Sequence, residues 1–201
     1  MIVSKKIHMY QKRNRELDII ALYLGGYRKQ FYLREISKVT KIPLKTTQTL
    51  TAYLEKDRIL KSMVSGKNKY FKLNLDNLQT KFYLLQSELH RTAIFVEKYP
   101  LFKSFIKEIK VNVPIIVFGS FAKFKADNVS DLDILIISKE NVKLPFHLLA
   151  YKKHDIHLDE RSYTKSLEKN EPFVMEVLEN HVVLNNHSFY VNLMWDYYGR
   201  Q

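Results

Sequence analysis

The sequence predicts an α+β protein of two domains joined by a long helix. Three observations carry this. Residues 1–75 read as helices closed by a β-hairpin, whereas from residue 111 the pattern changes to strand, loop, strand. Between them, "LDNLQTKFYLLQSELHRTAIFVEKY" (75–99) is one uninterrupted helical pattern. The charge divides the same way: residues 1–75 hold 17 Lys and Arg against 5 Asp and Glu, while residues 76–201 hold 16 of each. The expected boundaries are 1–75, a helical linker over 76–110, and 111–201.

In the first part, "ELDIIALYL" (16–24) has helical spacing and stops at Gly25-Gly26. "FYLREISKVT" (31–40) reads as a second helix, and Pro43 breaks the chain and opens a third over 43–60, with Leu44, Leu50 and Leu54 as core positions. "KSMVSGKNKYFKLN" (61–74) is strand, turn around Ser65-Gly66-Lys67-Asn68, strand. On the long helix, Leu75, Leu78, Phe82, Leu85, Leu89, Ala93 and Val96 form an apolar stripe, which a second copy of the chain would cover in a homodimer. Pro100 closes this helix, and "LFKSFIKEIK" (101–110) is a short one.

In the last part, "VPIIVF" (113–118) and "LDILIIS" (132–138) are near-continuous apolar runs, as expected of interior strands. "KKHDIHLDERSY" (152–163) alternates and reads as a third strand, and 165–186 as a helix followed by a short strand.

Composition narrows the function. The chain of 201 residues has no cysteine, which excludes disulfides and thiolate zinc sites and fits a reducing compartment. No apolar run approaches 18 residues, so no membrane span is expected. The basic start "MIVSKKIHMYQKRNR" lacks the apolar stretch of a secretory signal, so a cytoplasmic location is expected. The surplus of +12 confined to residues 1–75 points to a polyanion at that end. His154 and His157, three apart on a strand, face opposite ways, and none of the seven histidines has a metal-pairing partner.

The order helix, helix, turn, helix, hairpin, with a basic third helix and hairpin, resembles the winged helix-turn-helix family over residues 14–75. That resemblance implies a recognition helix over 44–56, with Lys45, Thr46, Thr47, Gln48 and Thr51 toward phosphates and base edges, and Lys67 and Lys69 on the wing. The module would dock on DNA.

The stretch "FGSFAKFKADNVSDLDILII" (118–137) carries the chemistry. Asp131 and Asp133 point to one side of their strand about 7 Å apart, and they repel unless a cation joins them. Oxygen ligands select a hard ion such as Mg²⁺, which prefers to share its shell with phosphates. Gly119 lets a phosphate approach the backbone, and the Ser120 hydroxyl and nearby N–H groups can bond to it. Gly-Ser, ten residues, then Asp-x-Asp between two apolar strands resembles the DNA polymerase β-like nucleotidyltransferase superfamily, in its minimal one-domain branch, over about residues 100–190. The resemblance implies a mixed sheet with flanking helices. It implies transfer of a nucleoside monophosphate from a nucleoside triphosphate, with ATP as the expected donor, to an acceptor. It implies two Mg²⁺ ions held by Asp131, Asp133 and a third acid on a later strand. Asp155 and Asp159 are the candidates for that acid, and Asp155 is favoured. Gly119, Ser120 and Lys123 would bind the nucleotide. Members of this branch often act as antitoxins that adenylylate a partner toxin, so a protein acceptor or cognate toxin is the implied partner. Where the family commonly has glycine after its basic residue, this chain has Phe124. A regulator that senses a nucleotide or partner without turnover is the alternative.

Overall fold

Asn14 opens the first helix, its side-chain oxygen accepting hydrogen bonds from the Glu16 and Leu17 N–H groups. The computed structural model describes residues 14–199. The basic segment 1–13, on which the reading of the N-terminus rests and which holds four of the positive charges, lies outside them.

Helix α1 (Arg15–Ile20) runs into a 3₁₀ turn at Ala21–Tyr23. A two-residue strand, β1 (Phe31–Tyr32), precedes α2 (Leu33–Thr40) and α3 (Leu44–Lys56). Residues 31–32, read from sequence as the start of a helix, instead pair antiparallel with the hairpin β2 (Leu60–Ser65) and β3 (Asn68–Leu73), giving a three-stranded sheet in the order β1-β3-β2. The hairpin turn is Gly66-Lys67, with Gly66 at φ +58. Leu54 is a core residue as expected, but Leu44, at the start of α3, is 45% exposed.

The long helix α4 (Leu78–Lys98) buries a different face from the expected stripe. Leu78, Phe82 and Leu89 are exposed, and the buried positions are Thr80, Leu84, Ser87, Glu88 and Phe95. The face is polar yet buried because most of its groups are bonded, Glu88 Oε2 being left without a partner among the described residues. The Thr80 hydroxyl donates to the Ile59 carbonyl, the Ser87 hydroxyl donates to the Leu17 carbonyl at 2.8 Å, and a Glu88 carboxylate oxygen lies 2.8 Å from His181 Nε2.

After α5 (Phe102–Lys107) come β4 (Ile115–Phe118), the single turn α6 (Gly119–Ala122), β5 (Leu132–Ile137) and β6 (Lys153–Leu158). Then follow α7 (Glu160–Glu168), α8 (Pro172–Glu179), β7 (Val182–Asn185) and α9 (His187–Gly199). The expected third strand ends at 158, where Asp159 caps α7 and starts the helix early. The helix expected over 165 onward is two helices, because Pro172 fits only a first turn. The C-terminal helix α9 had no counterpart in the sequence reading.

The four strands form a mixed sheet in the order β6-β5-β4-β7, antiparallel except for the parallel pair β5–β6. Ile115, Val117, Ile134 and Ile136 pack on one face against Phe95, Phe102 and Phe105. Ile116, Phe118, Leu135 and Ile137 face the other way, into a core shared with Tyr23, Tyr27, Ile36, Leu54 and Phe71 of the N-terminal part. Tyr27 stacks on Tyr198 of α9 with ring centroids 5.0 Å apart. This continuous burial on both faces is why β4 and β5 read as unbroken apolar runs.

Candidate functional site

The site begins where β4 ends. Phe118 pairs with Asp133 across the antiparallel ladder, so Gly119, one residue on, sits beside the Asp133 side chain. Gly119 has φ +66, a conformation open to glycine and costly for residues with a Cβ. A Cβ there would lie 2.3 Å from Asp133 Oδ2, which no real contact permits. The glycine therefore lets the Asp133 carboxylate lie against the backbone at the end of β4. Ser120 follows, half-buried on α6, and its carbonyl accepts from the Lys125 N–H at 3.0 Å.

Asp131 precedes β5 and Asp133 is its second residue, and the strand's alternation sends both to the same side. Burial, with smaller contributions from Asp131 and Glu176, pushes the Asp133 carboxyl above the usual carboxylate range, against the opposing pull of His154. His154 Nδ1 lies 3.5 Å from Asp133 Oδ1, and Lys152 Nζ lies 3.3 Å from Asp131 Oδ2. Lys123 pairs with Glu176 of α8 at 2.9 Å. Thus Asp131, Asp133, Gly119, Ser120 and Lys123 meet at one end of the sheet. Sequence reasoning missed His154 and Glu176. The strand's alternation held a signal for His154, had its register been known. Glu176 lies on a helix whose position no spacing indicated.

Neither candidate third acid joins them. In the parallel β5–β6 ladder, His154 is opposite Asp133 and Asp155 is opposite Ile134. Paired residues share a face, so Asp155 emerges on the far side of the sheet, where its Oδ2 lies 3.3 Å from His157 Nε2. Asp159 caps α7, accepting from the Ser162 N–H at 2.7 Å. Among the described residues, no three His, Asp or Glu side chains converge as a ready-made metal cage. Asp131 and Asp133, on one side of β5 and beside the Gly119 backbone, offer oxygen ligands that fit one divalent ion completed by phosphate oxygens. A second ion held by three carboxylates does not fit this geometry.

In the loop after α6 stands Phe124, where the resemblance led to the expectation of glycine. Phe124 adopts φ +56, and its ring packs 6.1 Å from that of Phe95 with the Arg91 guanidinium 5.6 Å from its centroid. Arg91, from α4, also donates to the Ala122 carbonyl at 3.1 Å and to the His181 carbonyl at 2.7 Å.

In the N-terminal part, Lys45 and Gln48 are exposed on α3 and Thr46 is half-buried. Thr47 and Thr51 are buried, with hydroxyls bonded to the carbonyls of Ile42 and Gln48, and so do not reach the surface. Their short polar character suits a helix–turn contact as well as a groove, which is why sequence alone did not separate the two. The exposed ridge is Lys45, Gln48, Thr49, Ala52 and Lys56. Lys67 is exposed at the hairpin tip, while Lys69 is held by Glu55 at 2.7 Å.

Residues 100–184 match the family model described as a nucleotidyltransferase domain. No curated protein and no solved structure matches the chain. The matched segment contains Gly119-Ser120, both aspartates, and β4, β5 and β6. No helix among the described residues is long and apolar enough to cross a membrane.

Proposed function

We propose that the chain is a nucleotidyltransferase that moves a nucleoside monophosphate from a nucleoside triphosphate, ATP in the first instance, to an acceptor, and that residues 14–75 dock it on DNA as a winged helix. The observation that carries the enzyme reading is Gly119, whose missing Cβ lets the Asp133 carboxylate lie against the backbone inside the segment matched by the family model. A hydroxyl of the acceptor releases its proton to solvent as its oxygen bonds to the α-phosphorus, the bond to the bridging α–β oxygen breaks, and pyrophosphate leaves with that oxygen. A divalent ion, Mg²⁺ in this reading, held by Asp131 and Asp133 would offset the charge on the triphosphate. Gly119 admits the phosphates to the backbone, and the Ser120 hydroxyl orients them. Lys123 reaches the same phosphates when it leaves Glu176.

The DNA reading rests on the exposed ridge Lys45, Gln48, Thr49 and Lys56, with Lys67 at the hairpin tip, and on the positive surplus of this part. A protein acceptor, such as a toxin encoded beside it, is the partner this combination suggests. The exposed Leu78, Phe82 and Leu89 are the ridge through which two copies would pair. The retained aspartate pair favours turnover over a nucleotide sensor.

The test is incubation with α-labelled ATP, Mg²⁺ and lysate from the source cell. A labelled protein with the wild type, and none with Asp131→Asn/Asp133→Asn, supports transfer. Nucleotide binding without label supports the sensor.

A further inference from the structure

We propose that His154 is the third side chain of the metal site, so that the ion is held by two carboxylates and one imidazole. The proposal rests on the nucleotidyltransferase reading above and departs from a three-carboxylate set.

The argument is one of register. The β5–β6 ladder sets His154 opposite Asp133, on the face that carries Gly119 and Asp131, and sends Asp155 through the sheet to the other side. A one-residue slip would exchange them, but that slip would also turn the half-buried Ile156 and Leu158 away from the core they pack on. The distance agrees. Two ligands at right angles on one ion, each about 2.1 Å from it, lie about 3 Å apart. His154 Nδ1 and Asp133 Oδ1 are 3.5 Å apart, and since the three side chains do not converge by themselves, the entering ion draws them together through rotation of the ring. The His154 side chain is about half exposed, which leaves that rotation free and keeps the remaining positions open to phosphate. Lys152, more exposed still, swings off Asp131 when the ion enters.

A nitrogen donor changes which ions the site prefers. Mg²⁺ favours an all-oxygen shell, whereas first-row transition ions accept imidazole. The site is accordingly shifted toward ions such as Mn²⁺ relative to a set of carboxylates alone.

The experiment uses the full chain with Mn²⁺ and a non-hydrolysable ATP analogue, read by electron paramagnetic resonance. Titration of the free-ion signal gives affinity, and pulsed echo modulation reports a directly bound imidazole nitrogen. The wild type is expected to show nitrogen modulation. His154→Ala is expected to lose it and to bind Mn²⁺ at least ~10-fold more weakly. His154→Asp keeps the ion and loses the modulation, which separates ligation from misfolding. Asp155→Asn matches the wild type in both readouts. Mn²⁺ bound through Asp131 and Asp133 without nitrogen modulation overturns the role of His154 alone, as does an Asp155→Asn variant that binds as weakly as His154→Ala. A wild type that binds no Mn²⁺ with the nucleotide overturns this proposal together with the reading beneath it.

Discussion

Gly119 is the residue whose replacement has the clearest consequence. Gly119→Ala imposes a positive φ on a residue with a Cβ, at roughly 1–3 kcal/mol, and drives that Cβ into the Asp133 carboxylate. The melting temperature should fall by about 3 to 10 °C, and nucleotide binding should weaken in a calorimetric titration. Unchanged nucleotide affinity in a folded variant would mean that the nucleotide does not use the Gly119–Asp133 contact. His187 sets a pH dependence. Burial holds its imidazole below the ordinary value of 6.5, with Glu88 pulling weakly the other way. Below 6.5 the unfolded chain takes up a proton that the folded chain refuses. Stability therefore falls as pH drops from about 6.5 through the depressed value, and below that value the loss is complete. His187→Gln should flatten this limb in denaturant melts at pH 7.5, 6.5 and 5.5. An unchanged slope would assign the limb to another group. The Gly-Ser and Asp-x-Asp signals were legible because they are local. The third position was not, because which of His154 and Asp155 faces the pair depends on strand register, a property of two strands together.

Single elements separate the two faces of α3. Lys45→Ala should weaken DNA binding across sequences and lower the slope of log affinity against log salt by about one. Thr47→Val should leave both unchanged and lower stability by about 1 kcal/mol, through loss of its bond to the Ile42 carbonyl. Binding curves at several salt concentrations, beside a denaturant melt, distinguish them, and a Thr47→Val defect in DNA affinity alone would contradict the burial. The same element scale explains what sequence misread on α4. An apolar count at helical spacing selects Leu78, Phe82 and Leu89, but the helix buries Thr80, Ser87 and Glu88 because carbonyls and His181 meet their polar atoms. Hydrophobic periodicity finds the stripe that water rejects. It is blind to a stripe that partners supply from elsewhere in the chain.

At the scale of the molecule, the expected two domains share one core. Ile19, Tyr23 and Phe71 belong to the same packed cluster as Ile116, Leu135 and Tyr190. Unfolding should accordingly be a single transition, with the fluorescence of Trp195, the chain's one tryptophan, and the far-ultraviolet dichroism coinciding. Two separated midpoints would show that the two parts unfold as independent domains. The switch from helices to strands and the confinement of positive charge to one end were plain in the sequence, since both are sums over many residues. The shared core was not, because it joins residues more than a hundred apart.

Arg91 gives this unity a mechanical edge. Its guanidinium clasps, from the long helix, the peptide at Ala122 just past Gly119-Ser120 and the turn that leads into β7. Any rocking of that helix must drag the Gly119-Ser120 turn with it or tear two charge-reinforced links.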